Sequence, residues 1–170
     1  VIAYGRNDRG IPRLHGIRLA GSGDVTATNH VWQRDDVGTF VPTPVVYKGR
    51  VILVRDKGEV DCIDPATGKT IWSGQLEKNR NTFRSSPVIA DGKLYMARQD
   101  GTVFVLDAFA NEFKVLAKNS VAEEHTTATP VFVDGNLKYK LIGKANFHHI
   151  LKGLHKPELL LQCNQSFLLT

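Results

Sequence analysis

The chain has 170 residues, 42% of them hydrophobic, and a formal net charge of +5. No run of roughly eighteen apolar residues occurs, which excludes a membrane-spanning helix, and two cysteines, Cys62 and Cys163, make no disulfide framework. The excess charge is local: residues 1–135 hold 17 Lys and Arg against 16 Asp and Glu, whereas residues 136–170 hold five Lys against Glu158 alone, so no broad basic face is offered to nucleic acid.

In chain order, residues 1–4 read as a strand, residues 16–19 as a second and residues 30–34 as a third that carries Trp32. Gly21, Ser22, Gly23 and Asp24 form a loop between the last two. Thr43-Pro44 opens a fuller unit, residues 43–76, in which four strands are legible: 44–47, 51–54, 59–63 and 69–76. Lys48-Gly49 and Asp56-Lys57-Gly58 are hairpin turns. Residues 59–63 alternate charged and apolar side chains, the period of a half-buried strand. Asp64-Pro65-Ala66-Thr67-Gly68 then turns the chain into the strand bearing Ile71 and Trp72.

A second full unit, residues 86–120, opens on Ser86-Pro87 and turns at Asp91-Gly92 and Asp100-Gly101, but its last hairpin, residues 107–115, has lost the Thr-Gly-Lys and the Trp. Thr129-Pro130 opens another unit, and the pattern stops near residue 135. Residues 136–170, with Phe147-His148-His149 and a leucine run at 159–161, show no repeat grammar. They read as an atypical basic tail, irregular in structure or foreign to the protein.

Pro44, Pro87 and Pro130 recur every 43 residues, as do Gly49, Gly92 and Gly135, and Gly58 and Gly101. Short strands at such a period predict an all-β fold of propeller blades, each of four antiparallel strands. The expectation is an incomplete ring of two full and two partial blades: partial over 1–36, full over 43–76 and 86–120, partial from 129. Blade cores are predicted from Val45, Val46, Val51, Leu53, Val60, Ile63, Val88, Ile89, Leu94, Val103, Val105 and Leu106, with Trp72 buried between blades. A ring of about six to eight such blades needs a longer chain, so a fragment with open blade edges that self-associate is expected, its tail not supplying the missing strands.

At residues 64–72 the pattern resembles the blade motif A-x-D-x-x-T-G-K-x-x-W of the quinoprotein-like propellers, with Asp64, Thr67, Gly68, Lys69 and Trp72 in place and Cys62 where Ala is usual. Asp and Thr suit turn-backbone bonding, Gly a left-handed position and Trp the space between blades, all structural roles. The resemblance implies a periplasmic or cell-envelope location. Its enzymatic members use an adjacent Cys-Cys pair, a calcium site of carboxylate and amide groups, a catalytic Asp and a Trp beneath pyrroloquinoline quinone. This chain has no Cys-Cys pair, and one unit alone keeps the full motif. It looks closer to the non-enzymatic, outer-membrane assembly-factor-like members.

Other constellations point the same way. Gly68-Lys69-Thr70 would end a phosphate-binding loop only with Gly where Ile63 stands. His148, His149 and His155 read as tail histidines rather than metal ligands, and Asp56, Glu59, Asp61 and Asp64 as solvated turn carboxylates rather than a calcium loop. Ser85, Ser86 and His125 carry no nucleophile motif. No catalytic, cofactor-binding or metal residue is therefore assigned. The reading is a non-catalytic binding or scaffold module that presents blade loops to a protein partner, to further blades of the same protein or to a second copy, with no nucleic acid and no membrane span. The alternative is a fragment of a pyrroloquinoline quinone-dependent dehydrogenase whose catalytic residues lie outside the chain. Only under it do quinone and calcium enter.

Overall fold

The computed structural model describes residues 1–5, 11, 13–120, 125–133, 136–140 and 148–151. Two repeated turns set its architecture. Lys48 and Gly49 have φ of 44° and 72°, Asp91 and Gly92 of 47° and 70°; two consecutive positive φ values make a type I′ turn, whose twist matches that of paired strands. The first joins β4 (Val45–Tyr47) to β5 (Arg50–Val54), the second β8 (Val88–Ala90) to β9 (Lys93–Ala97). Gly58 and Gly101, at φ of 87° and 77°, then reverse the chain into β6 (Glu59–Ile63) and β10 (Thr102–Asp107). With β7 (Thr70–Gln75) and β11 (Val115–Ser120), these form two four-stranded antiparallel sheets ordered as in sequence, blades 2 and 3.

Blade 1 is three-stranded, with β1 (Ile2–Tyr4), β2 (Arg13–Ile17) and β3 (His30–Arg34), and a short helix, α1 (Thr26–Asn29), leads into its last strand. The second strand lies earlier than residues 16–19. Leu14 is its fully buried side chain, whereas Leu19, which drew the reading forward, is 98% exposed. Blade 4 comprises β12 (Val131–Val133), β13 (Asn136–Lys140) and β14 (His148–Leu151). The expected end of the repeat at residue 135 is thus corrected, because the sheet continues through two strands assigned to the tail. Their signal was the polar-apolar alternation of Asn136-Leu137-Lys138-Tyr139-Lys140, with Leu137 fully buried. His155, Cys163 and the leucines at 159–161 lie outside the described residues.

The four sheets are blades of an incomplete β-propeller, and the core lies between them. Leu14 and Val37 of the first unit meet Val51, Leu53 and Ile63 of blade 2. On its other face blade 2 sets Ile52, Val54, Val60, Cys62 and Trp72 against Leu94, Met96, Phe104 and Leu106 of blade 3. Blade 3 in turn sets Tyr95, Ala97, Val103 and Val105 against Leu137. Of the expected core, Val51, Leu53, Val60, Ile63, Leu94, Val103, Val105 and Leu106 are fully buried or nearly so.

Val46 is the exception, at 61% exposed. It pairs with Val51 and so shares the face toward blade 1, where no described strand lies inside β1. Ile89, one period later, is half-covered against the blade 2 and 3 core. The outer strands share a further feature. Pairing of β2–β3, β6–β7 and β10–β11 slips by one residue at corresponding places, leaving Val31, Ile71 and Leu116 as bulge residues. A bulge bends an edge strand away from flat pairing, a guard against strand addition.

Candidate functional site

The turn between β6 and β7 is built by its own side chains. Asp64 Oδ1 accepts from the Ala66 amide at 2.8 Å and Oδ2 from Thr67 Oγ1 at 3.0 Å. Thr67 Oγ1 accepts from the Lys69 amide at 3.3 Å. The Ala66 amide first, then the Thr67 hydroxyl, favour the charged form and hold the Asp64 carboxyl below its ordinary range. Gly68, at φ 72°, occupies left-handed backbone, and a Cβ there would lie 2.6 Å from Cδ2 of Trp32. Lys69 is exposed. Trp72 is 7% exposed, tilted against Phe113 with ring centroids 6.1 Å apart.

Each such turn receives the preceding blade. Trp32 Nε1 donates to the Pro65 carbonyl at 2.9 Å, and Trp72 Nε1 to the Ala110 carbonyl at 2.9 Å. Two arginines do likewise. Arg34 donates to the Gly68 carbonyl at 3.2 Å and to Thr70 Oγ1 at 2.7 Å; Arg50 donates to the carbonyls of Phe109 and Ala110 at 3.1 and 2.6 Å and to Asn111 Oδ1 at 2.8 Å. At the inner strands the repeated hydroxyls link blades too: Ser86 Oγ accepts from the Thr43 amide at 2.9 Å, and Thr129 Oγ1 from the Ser86 amide at 3.1 Å. Sequence reasoning missed both devices. The hydroxyl before each Pro was visible as a repeat but had no assigned role, and the arginines sit outside the blade motif.

The residues weighed for chemistry are dispersed. Asp61 is 4% exposed and ion-paired with Arg55 at 3.0 Å; burial pushes its carboxyl pKa up, against the opposing pull of Arg55 and Arg34. It is no solvated turn carboxylate, since the pleat turns it into the face toward blade 1. Among the described residues no three potential ligands converge on one point. Ser85 Oγ donates to the Ala97 carbonyl at 2.8 Å, Ser86 Oγ serves the Thr43 amide, and His125 is exposed. Thr70 Oγ1 accepts from Arg34 rather than facing a phosphate.

Cysteine and tryptophan, residue types that the quinone enzymes put to use, are packed here into the blade 2 and 3 core. Cys62 is fully buried in the blade 2 and 3 core, flanked by Asp61 and Ile63, and burial pushes its thiol pKa up. Trp72 is spent on the blade interface rather than offering a face to a cofactor.

A cleft of about 520 Å³ opens where the turns of blades 2 and 3 meet, lined in part by Tyr47, Lys48, Phe109 and Leu116. Among the described residues no helix is long and apolar enough to cross a membrane.

Among solved structures the chain is similar to BamB from Moraxella catarrhalis, at 17% identity and a TM-score of 0.56, over 82% of this chain and 42% of that one. It is also similar to the computationally designed Ika4 protein, at 17% identity and a TM-score of 0.54 over 70% and 71% of the two chains. Quinohemoprotein alcohol dehydrogenase from Comamonas testosteroni aligns at 22% identity and a TM-score of 0.50, over 61% of this chain and 17% of that one. These likenesses establish the propeller fold, and the chain spans less than half the length of the BamB structure. No curated protein sequence matches it. The model of the outer membrane protein assembly factor BamB family matches residues 20–139, most of the chain and all of the two complete blades, and the chain belongs to that family.

Proposed function

We propose that this chain is a non-catalytic binding module of a bacterial cell-envelope protein, periplasmic or outer-membrane-associated, whose blade turns engage a protein partner. The observation that carries this reading is the family match over residues 20–139, to a model described as that of an assembly factor. The geometry supports it: Asp64, Thr67, Trp72, Ser85 and Ser86 are engaged in turns and blade contacts. The bare face of blade 1 adds a second route to association. Ile2 and Ile17 are 53% and 37% exposed, although the residues at corresponding strand positions, Leu53 and Ile63, are fully buried. A further blade or a second copy would cover them, and sedimentation that rises with concentration is the expected sign.

The second reading, part of a quinone-dependent dehydrogenase, is favoured by the fold shared with the quinohemoprotein alcohol dehydrogenase. Titration with pyrroloquinoline quinone and calcium, followed by a dye-linked assay with alcohols and sugars, separates the two. The binding-module reading expects neither binding nor turnover. Micromolar, calcium-enhanced quinone binding would overturn it.

A further inference from the structure

The turn of blade 3 keeps the device of blade 2 and changes what stands upon it. Asp107 Oδ1 accepts from the amides of Phe109 and Ala110 at 2.8 and 3.1 Å, as Asp64 accepts from Ala66. The turn therefore depends on the aspartate, and the residue two positions on is free to vary: Ala66 in blade 2, Phe109 in blade 3. Phe109 is 37% exposed. Its ring lies 5.2 Å from that of Tyr47, and the Lys48 ammonium sits 4.7 Å from the Phe109 centroid and 5.6 Å from the Tyr47 centroid. With Leu116, these rings floor the cleft.

Two lysines and two aspartates line it, equal in number but not all in contact. Lys93 Nζ is paired with Asp91 at 3.1 Å, and Asp107 serves two amides. Lys48 has no carboxylate partner among the described residues, only the two ring faces. Its backbone is also costly: φ is 44°, at a turn position that favours Asn, Asp or Gly, and the corresponding residue of blade 3 is Asp91. A lysine held in left-handed backbone over two aromatic rings, its charge unmatched, is a local departure from the repeat of the kind that marks functional positions. Asp91 and Asp107 line the same cleft and disfavour polyanions such as nucleic acid.

We propose that this cleft docks a protein segment presenting one carboxylate side chain beside aliphatic residues, the carboxylate on Lys48 and the aliphatic groups on Tyr47, Phe109 and Leu116. The proposal rests on the binding-module reading and names its surface.

The test titrates the full ¹⁵N-labelled chain with the capped tripeptide acetyl-Leu-Glu-Leu-amide and its Gln and Lys counterparts, following amide shifts. Expected shifts fall at residues 47–49, 91–93 and 107–116, with the Glu peptide bound about fivefold more tightly than the Gln peptide, the scale of a partly exposed ion pair. Lys48→Asn, which suits the turn and so keeps the hairpin, should erase that preference. Phe109→Ala should weaken all three peptides. Shifts elsewhere, or equal affinity for the Glu and Gln peptides, would overturn the cleft and leave the binding-module reading standing. Quinone binding by the same sample would overturn that reading, and the proposal with it.

Discussion

Blades 2 and 3 share a sheet order, two turn types and an Asp-anchored last turn, yet close that turn differently. In blade 2 the chain passes through Gly68 at φ 72°, pressed against Trp32. In blade 3 Asn111 stands at the corresponding place without positive φ and accepts from Arg50. The outer strands differ as well: β7 sends Trp72 into the next blade, whereas β11 offers Ala117 at the position that pairs alike with the neighbouring strand. A repeat can thus lose most of its motif and keep its fold, provided the aspartate stays and the aromatic bulk comes from elsewhere. Here Tyr95 of blade 3 and Phe132 of blade 4, ring centroids 4.9 Å apart, fill the core on which Ala117 packs.

The largest effect expected from this contrast is at Trp72. Trp72→Ala opens the blade 2 and 3 core and leaves the Ala110 carbonyl to Arg50 alone, and should lower stability by about 3–5 kcal/mol, read as a urea midpoint. An unchanged midpoint would mean that Phe113 carries the interface alone.

Gly68→Val comes next. It forces a β-branched residue into left-handed backbone and its Cβ into Trp32, a cost of roughly 2–3 kcal/mol or more. Asn111→Val in blade 3 should cost about 1 kcal/mol or less, the loss of one exposed hydrogen bond. Equal losses at the two positions would erase the distinction between the turns.

A comparably small effect is expected at the blade 3 and 4 interface, where Tyr95 is fully buried and its hydroxyl has no partner among the described residues. Burial, with the Asp91 charge behind it, pushes the phenol pKa up to about 12, against about 10 in the unfolded chain. Between those values the unfolded state releases a proton that the folded state retains, so stability falls as pH rises through that window. Tyr95→Phe should flatten the fall between about pH 10 and pH 12 and add about 1 kcal/mol at neutral pH by removing an unpaired polar group. A loss of stability at neutral pH in the variant would show that the hydroxyl is bonded.

The blade period and turn positions were legible because glycines and prolines mark backbone states that few other residues adopt. Both faces of β5, β6, β9 and β10 are buried, so Ile52, Val54, Cys62, Tyr95, Met96 and Phe104 were missed, whereas the core residues named from these strands followed from their apolar runs. Val46 did not, since alternation says which face a side chain takes and not whether anything covers it. Blade 4 was hidden by a missing second turn glycine, although Leu137 kept its place in the period. Lys48 and Phe109 were legible only as turn and degenerate-motif residues. Their meeting depends on two blades lying side by side, which no single stretch encodes.

The hydroxyl links at Thr43, Ser86 and Thr129 bear on how such a chain grows. Ser86 contributes its amide toward the unit after it and its hydroxyl toward the unit before it, with the Thr43 amide and the Thr129 hydroxyl completing the two joints. The joint is directional, head to tail, and identical in kind at each step. A gene duplication or deletion that spans one whole period therefore creates no orphaned donor within the chain. One that begins or ends inside a period leaves an amide without its neighbour's hydroxyl and breaks a sheet as well. Insertion or removal of a whole unit thus keeps every such joint paired, and departures from the motif at Asn111 and Ala117 leave the joints untouched.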